Sequence, residues 1–173
     1  MQDVEISTQM FRDGMARLGS SVNVITSDGP SGRLGFTATS VCSLSDSPPS
    51  LIVCMNRSST QNVLFKANGV LCVNVLAPEH RDLSAAFAGV GRLDSDRRFA
   101  IGAWSSLKTG APVLEGAVAA FDCRIKDHVE ASTHTILICD VVGLSMADTS
   151  SSLIYFMREY HRLVLPDPVR AGL

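Results

Sequence analysis

The chain has 173 residues, of which 46% are hydrophobic and only 18% charged, and its formal net charge is -2 at pH 7. This length suits one domain with a sizeable core, so we expect a single domain over residues 1–173. The weak net charge provides no field that would attract nucleic acid or an anionic membrane. Because few residues are charged, much apolar surface needs covering, and we expect a twofold homodimer.

Each cysteine lies in an apolar, strand-like run, and the five are Cys42, Cys54, Cys72, Cys123 and Cys139. Their number is odd and no pair has CxxC spacing, which argues against a disulfide framework and against a zinc site. We therefore expect buried free thiols, a reducing cytoplasmic location and no bound metal. Asp3 and Glu5 stand where a signal peptide would be apolar. No run approaches the ~20 apolar residues of a membrane span, so no membrane partner is expected.

The predicted elements are short strands with a few helices between them. Helices are predicted at Ser7–Leu18, at Thr60–Lys66 and from Pro78 to Phe87. Strands are predicted at Val22–Thr26, Gly35–Ser43, Leu51–Met55, Val70–Leu76, Ala117–Val129, His134–Leu144 and Leu153–Met157, the last before a proline-bearing tail. Residues 93–110 show no clean period and are predicted to form an irregular loop.

The order of these elements indicates the fold class. About seven strands occur without a strand–helix–strand rhythm, and no GxGxxG motif follows a strand, so a Rossmann domain is not expected. In Ala117–Val129 the apolar and polar residues alternate, as in a sheet with one buried face. The pattern predicts a mainly β fold, a closed or nearly closed β-barrel with short peripheral helices.

The strand predicted at Gly35–Ser43 carries small hydroxyl side chains on an otherwise apolar backbone. Small residues let a planar ring lie against a strand, and the hydroxyls of Thr37, Thr39 and Ser40 can donate or accept hydrogen bonds. The alternative is an ordinary strand rich in β-branched residues. This stretch favours a planar heteroaromatic cofactor, with a flavin as the leading candidate.

A polar cluster, Asn56–Thr60, lies between the strand Leu51–Met55 and the helix Thr60–Lys66. The first turn of a helix offers unpaired N–H groups and the positive end of the helix dipole. Arg57 adds a fork-shaped cation, and the Ser and Thr hydroxyls add donors. The alternative is a plain helix cap with a solvated arginine. The order strand, polar cluster, helix favours a phosphate site.

Other candidate residues lie nearer the C-terminus. His134 begins a strand after a polar pair, and the alternative there is an ordinary surface histidine. Aromatic faces and cations that suit a nicotinamide nucleotide, or simply close the barrel, occur together at Tyr155, Arg158, Tyr160 and His161. The sequence contains no GxSxG, HExxH or Walker motif, and no alternation of basic and aromatic residues typical of nucleic acid binding.

A family resemblance is carried by segments spread over the chain. They are Phe11–Asp13, Val22–Thr26, Gly35–Thr39, Val41–Ser43, Ser45–Pro49, Cys72–Leu76, Phe87–Gly89, Phe121–Cys123 and Thr133–His134. With them, the chain resembles the flavin reductase family with the Greek-key-like, FMN-binding split-barrel fold. It is most similar to NADH-dependent reductase components of two-component flavin monooxygenases, of the 4-hydroxyphenylacetate hydroxylase or pyrimidine-utilisation type. The resemblance covers about residues 11–163.

The resemblance implies which residues contact the flavin. The isoalloxazine ring is expected along one strand, at Phe36, Thr37, Ala38, Thr39, Ser40 and Ser43. The ribityl phosphate is expected at the polar cluster and one turn beyond it, at Asn56, Arg57, Ser58, Ser59 and Asn62. A loop that closes over the flavin is expected at Ala88 and Gly89.

The resemblance also implies an NADH side. His134 is expected beside the nicotinamide as the catalytic residue, with Tyr155 and Arg158 where the dinucleotide ends. The family usually has Gly before the Thr-His pair, whereas this chain has Ser132.

The implied reaction is hydride transfer from NADH to FMN or FAD, after which the reduced flavin diffuses to a separate oxygenase component. The choice between FMN and FAD and the choice between NADH and NADPH stay open. Only the family resemblance favours NADH. One alternative is a flavin-binding carrier module without turnover. Another is a family member whose final acceptor is a metal centre, such as ferric iron or a cobalt corrin.

Overall fold

The computed structural model describes residues 5–165. The α-helices lie at Thr8–Met15 (α1), Gln61–Asn68 (α2), Arg81–Phe87 (α3) and Ser95–Phe99 (α4). The first strands are Ser20–Ser21 (β1), Asn23–Ser27 (β2), Leu34–Ala38 (β3), Val41–Asp46 (β4), Pro49–Asn56 (β5) and Val70–Val75 (β6). The later strands are Trp104–Ser106 (β7), Pro112–Leu114 (β8), Ala119–Ala131 (β9), His134–Met146 (β10), Ser151–Phe156 (β11) and Glu159–Val164 (β12).

The main sheet has seven antiparallel strands in the order β3-β2-β6-β9-β10-β5-β4. β3 and β4 are consecutive in the chain but lie at opposite ends of this order. Because only Thr39 and Ser40 join them, the sheet must curl until its two edges meet. Within residues 5–165 no ladder joins β3 to β4, so the barrel is split at this junction, which we call the seam. The predicted mainly β, split-barrel fold is confirmed.

The barrel interior is filled by alternate residues of the long strands. Val53 and Met55 of β5 and Leu137 of β10 are at most 2% exposed. Burying side chains of this size stabilises the fold by about 1.5–3 kcal/mol each. Because successive strand residues point to opposite faces, Cys54 and Asn56 lie on the outer face of the same strand. The interior packing therefore determines which residues of β5 face outward.

Local interactions explain where α2 begins and ends. The Ser59 hydroxyl accepts a hydrogen bond from the backbone N–H of Gln61 (3.3 Å). Gly69 follows the helix with φ 69, a left-handed conformation that glycine adopts readily, and its N–H donates to the carbonyl of Phe65 (3.1 Å). The helix predicted at Thr60–Lys66 is confirmed and continues to Asn68. Among residues 5–165, no helix combines the length and apolarity that crossing a membrane requires.

The prediction of one strand over Gly35–Ser43 is wrong. β3 ends at Ala38 and β4 begins at Val41, whose backbone N–H donates to the carbonyl of Thr39 (3.0 Å) across a tight turn. No Pro and no further Gly interrupts the stretch after Gly35, so the sequence contains no turn signal. The break is imposed by tertiary structure, because the chain passes from one edge of the sheet to the other.

Residues 93–110 are not the irregular loop that the sequence predicts. Asp94 accepts a hydrogen bond from the backbone N–H of Arg97 (2.9 Å) and caps α4, and β7 pairs with β8. The backbone N–H of Thr109 donates to the fully buried carboxylate of Asp122 (2.8 Å), which ties this region to the barrel. Elements of 5 and 3 residues are too short to show a period.

The strand predicted at Leu153–Met157 is confirmed as β11, but β12 was not predicted. The two strands form a hairpin whose turn residues, Met157 and Arg158, have φ of 51 and 64. Turns with this geometry usually contain Asn or Gly, so the sequence lacks the expected hairpin signal. The predicted proline-bearing tail lies outside the described residues.

The prediction of buried thiols is confirmed for Cys72, Cys123 and Cys139, which are buried in the barrel. Burial raises the pKa of Cys139 to about 12 and raises the pKa of the other two thiols above their usual range. The prediction is wrong for Cys42, which is exposed on β4, and for Cys54, which is half-buried. Both lie near the open edge of the sheet, on β4 and on its neighbour β5, where every second residue faces outward.

Candidate functional site

The turn at the seam borders a cavity of about 530 Å³, which Thr39 and Ser40 line together with residues of α1. The carbonyl of Ser40 accepts a hydrogen bond from the backbone N–H of Cys54 (3.0 Å), which holds the turn against β5. The side-chain amide of Asn23 donates to the carbonyl of Ala38 (3.2 Å) and fixes the end of β3. A cavity of this size is typical of small-molecule sites.

Two of the predicted ring contacts are half-buried and pack against helices of the protein. The hydroxyl of Thr37 donates to the carbonyl of Ser84 in α3 (2.6 Å). Phe36 packs edge to face on Phe65, with ring centroids 5.3 Å apart. These residues hold β3 in place behind the seam, and their contacts are not visible in the sequence.

Three further residues that are predicted to contact the flavin do not line the cavity at the seam. Ser43 is exposed on β4 and lines a different cavity of about 390 Å³. Ala88 and Gly89 are exposed and follow α3, a helix that packs against β3. Gly89 has φ 95, a conformation that favours glycine. The structure thus puts the Ala88–Gly89 loop on the β3 side of the seam but does not bring Ser43 to the seam cavity.

The polar cluster after β5 is organised by Asn56. Its side-chain oxygen accepts hydrogen bonds from both the backbone N–H and the hydroxyl of Ser58 (2.9 Å each). A separate cavity of about 460 Å³ is lined by Asn56, Arg57 and Ser58 together with Ser132 and Thr133. The structure therefore places the predicted phosphate residues against the β9–β10 turn.

Arg57 is held in place rather than solvated. Its Nε lies 2.8 Å from a carboxylate oxygen of Glu130, and its Nη1 donates to the carbonyl of Ser132 (3.1 Å). Its backbone N–H donates to the carbonyl of Thr133 (2.9 Å). About half of the side chain (52%) stays exposed, so part of the guanidinium group is accessible to a ligand.

Asn62 supports this cluster from behind. Its side chain is only 4% exposed, and its amide nitrogen lies 3.5 Å from the carbonyls of Met55 and Asn56. The same nitrogen donates to the hydroxyl of Thr135 (3.0 Å). These contacts use the amide to fix the end of β5, which explains why a polar residue is tolerated at this buried position of α2.

His134 lies directly opposite Asn56 in the β5–β10 register. Its ring is exposed, and Nδ1 is 2.9 Å from the hydroxyl of Thr133. Ser132 has φ 48, the left-handed conformation that glycine favours. The chain thus keeps, with a serine, the backbone conformation that a glycine would adopt before the Thr-His pair.

Tyr155 and Arg158 line the seam cavity with Thr39 and Ser40. Arg158 forms an ion pair with Asp13 of α1, and hydrogen bonds from Arg158 and then Gln9 hold the pKa of that carboxyl below its usual value. The seam cavity and the cavity beside His134 share no lining residue. The structure therefore groups Tyr155 and Arg158 with the predicted flavin turn rather than with His134.

Some residues of the site were missed from sequence. Thr133 and Glu130 hold neighbours by hydrogen bonds, and Phe11 and Met15 of α1 line the seam cavity. A hydroxyl next to a histidine was a usable signal for Thr133. The i, i+4 spacing of Phe11 and Met15 predicts a helix face but not what that face lines. In the described part of the chain, no three His, Cys, Asp or Glu residues are grouped to hold a metal ion.

Comparison with known proteins identifies the family. A family model described as flavin reductase like domain matches residues 15–164. The chain belongs to this family. A relative from Variovorax paradoxus S110, named FMN reductase (NADH) RutF, is 52% identical over 156 residues, which cover 90% of this chain and 86% of the relative.

Solved structures of the family share the fold. The crystal structure of a proposed flavin reductase from Haemophilus somnus 129PT has a TM-score of 0.88 and 40% identity, covering 91% of this chain and all of that one (100%). The styrene monooxygenase flavin reductase from Pseudomonas putida S12 has a TM-score of 0.79 and 27% identity, covering 90% of this chain and 98% of the other.

Proposed function

We propose that the chain is an NADH-dependent flavin reductase, which transfers a hydride from NADH to a flavin and supplies reduced flavin to a separate monooxygenase. The name of the Variovorax relative supports FMN and NADH ahead of FAD and NADPH. The Pseudomonas protein is the reductase of a styrene monooxygenase, which supports an oxygenase partner. The observation that carries the proposal is the arrangement around the end of β5, with the seam turn bonded to Cys54 and the polar cluster paired with His134.

The residues present fit a flavin. The seam leaves two strand edges unpaired with each other beside a cavity of about 530 Å³, where backbone groups and the hydroxyls of Thr39 and Ser40 can pair with a polar ring edge. The polar cluster begins two residues after Cys54 and offers the Ser58 hydroxyl and part of the Arg57 guanidinium to a phosphate. When bound, the flavin accepts a hydride at N5 from the nicotinamide C4 of NADH.

The protein's own part is to bind, orient and exclude water. We assign the ring contacts to Thr39 and Ser40, with Phe36, Thr37 and Ala38 as the strand that supports them. We assign the phosphate contacts to Asn56, Arg57, Ser58 and Ser59, which Asn62 supports, and the covering loop to Ala88 and Gly89. Ser43 has no part in this assignment, because it lines another cavity.

On the NADH side, we assign His134 to the nicotinamide amide, as a hydrogen-bonding group rather than a proton-transfer group. Thr133 fixes the ring through Nδ1, which supports a role in orientation. We assign Tyr155 and Arg158 to the dinucleotide where it passes the seam cavity.

Adding NADH to the protein mixed with FMN, without oxygen, is expected to bleach the visible absorbance of oxidised flavin. The proposal assigns the contacts with both rings to residues of this chain, so turnover needs no further protein. FMN and FAD are titrated separately, each with NADH and NADPH. Binding of flavin without bleaching would support a carrier module instead. Reduction of ferric iron or a cobalt corrin in preference to release of reduced flavin would support the metal-centre alternative.

We also propose that two chains form a twofold homodimer. Large apolar side chains are exposed on α1, β4 and β10, including Phe11 (60%), Leu44 (54%) and Met146 (74%). Such surface is typically covered in a subunit interface. Sedimentation equilibrium is expected to give twice the chain mass, and a monomer mass at micromolar concentration would contradict the proposal. A single domain over residues 1–173 and a cytoplasmic location stay predictions.

A further inference from the structure

The turn that joins β9 to β10 is held in a conformation that its sequence disfavours. Ser132 and Thr133 form a two-residue hairpin turn that leads directly into His134. Ser132 has φ 48, at the first turn position, where such hairpins favour Gly because a side chain crowds the backbone. Contacts elsewhere in the protein must therefore stabilise this turn.

Arg57 provides those contacts. Its Nη1 donates to the carbonyl of Ser132 (3.1 Å), and its backbone N–H donates to the carbonyl of Thr133 (2.9 Å). One residue of the polar cluster thus holds both carbonyl groups of the turn. The bond from the side chain depends on how the guanidinium group is oriented, whereas the backbone bond follows from the course of β5.

Glu130 orients that guanidinium group. One carboxylate oxygen lies 2.8 Å from Nε of Arg57 and accepts a hydrogen bond from the Thr135 hydroxyl (3.0 Å). The other oxygen accepts a hydrogen bond from Nζ of Lys66 (2.9 Å). Hydrogen bonds from Lys66 and then Thr135 hold the pKa of Glu130 below its usual value, so the group is ionised near neutral pH. The oxygen that faces Arg57 is therefore held by Thr135, whereas Lys66 binds the other oxygen, so the contact with Arg57 does not require Lys66.

We propose that Glu130 is a positioning residue that, through Arg57, holds the Ser132–Thr133 turn and with it His134 in place for the nicotinamide. This inference rests on the proposed function, because it takes His134 to contact NADH. On this proposal, one network of hydrogen bonds links Arg57, which is assigned to the phosphate, with His134, which is assigned to the nicotinamide. Glu130 itself is assigned no contact with either substrate.

The test compares Glu130→Gln with Lys66→Gln. Lys66→Gln removes an ion pair from the same carboxylate without touching Arg57, so it controls for a general loss of stability. Riboflavin is the flavin acceptor, because it lacks the phosphate that Arg57 is proposed to bind. Glu130→Gln is expected to raise the KM for NADH about threefold to fivefold with little change in kcat, whereas Lys66→Gln changes the KM by less than about twofold.

A second variant tests the mechanism by rescue. Ser132→Gly removes the side chain that disfavours the turn, so the turn depends less on Arg57. In the Ser132→Gly background, Glu130→Gln is expected to raise the KM for NADH by less than about twofold. An equal rise in both backgrounds, or the same KM for Glu130→Gln and Lys66→Gln, would overturn the proposal.

Amide hydrogen exchange at residues 131–134 provides a readout that needs no activity. Exchange there is expected to be faster in Glu130→Gln than in Lys66→Gln, and equal rates would overturn the inference. If the wild-type protein does not oxidise NADH with any flavin, the proposed function fails, and the exchange comparison still decides whether Glu130 holds the turn. Faster exchange with an unchanged KM for NADH would overturn the positioning role toward the nicotinamide.

Discussion

Replacing His134 with alanine is expected to raise the KM for NADH about tenfold while the dissociation constant for FMN changes by less than about twofold. The ring is exposed and Thr133 fixes its Nδ1, so its loss removes an oriented hydrogen-bonding group without opening the core. The measurement is steady-state kinetics with NADH varied at saturating FMN, together with a fluorescence titration of FMN.

The matched control is His128→Ala, which removes an exposed histidine from the neighbouring strand β9. This variant is expected to behave like the wild type in both measurements. If His134→Ala leaves the kinetics for NADH unchanged, the histidine has no role toward the nicotinamide. A parallel loss of FMN affinity would place the histidine on the flavin instead.

Replacing Asn74 with alanine is expected to lower the free energy of unfolding by about 3 kcal/mol. Asn74 is fully buried, and its amide nitrogen donates to the carbonyl of Val24 and the hydroxyl of Thr26 (3.1 Å each). Its oxygen accepts a hydrogen bond from the backbone N–H of Leu114 (2.7 Å). Alanine leaves these partners without the amide and opens a space between β6 and β8.

Urea denaturation checks this value, because the linear dependence on urea yields the free energy of unfolding in water. β7 and β8 form a two-stranded ribbon, which Asn74 contacts through Leu114 of β8. The control is Ser105→Ala, a change at an exposed residue of β7, whose free energy of unfolding is expected to stay within about 0.5 kcal/mol of the wild-type value. A loss below about 1 kcal/mol for Asn74→Ala would mean that the ribbon is attached mainly by other contacts.

The parts of the fold that sequence predicted are those with long, regular periods. β9 and β10 have 13 residues each, long enough to be recognised as strands. The prediction that β9 has one buried face is wrong in its first half, because Ala120 and Asp122 are buried as well as Cys123 on the opposite face. The parts that failed depend on tertiary structure or on unusual turns. The break at Thr39–Ser40 exists because two sheet edges meet there, and the β11–β12 turn uses Met157 and Arg158 where Asn or Gly is usual.

The candidate site shows the same division. The order of short segments along the chain predicted that a polar cluster follows β5 and that a histidine begins β10, and both features occur where expected. Which residues share a cavity could not be read from the chain, because Tyr155 and Arg158 meet Thr39 only through folding. The role of each site residue stays a prediction. Glu130 lay outside every motif, since its partners Arg57 and Lys66 are far from it in sequence.

The two residues at the seam have a consequence for how ligand preference can diverge within this fold. The turn is fastened by the carbonyls of Thr39 and Ser40, which are main-chain atoms present whatever the side chains. Their side chains take no part in any strand pairing and border the cavity. Substitutions at positions 39 and 40 can therefore alter what the cavity binds while the register of every strand is preserved. At the seam, ligand preference therefore depends on side chains, whereas the barrel is held together by main-chain atoms, so the first can evolve without disturbing the second.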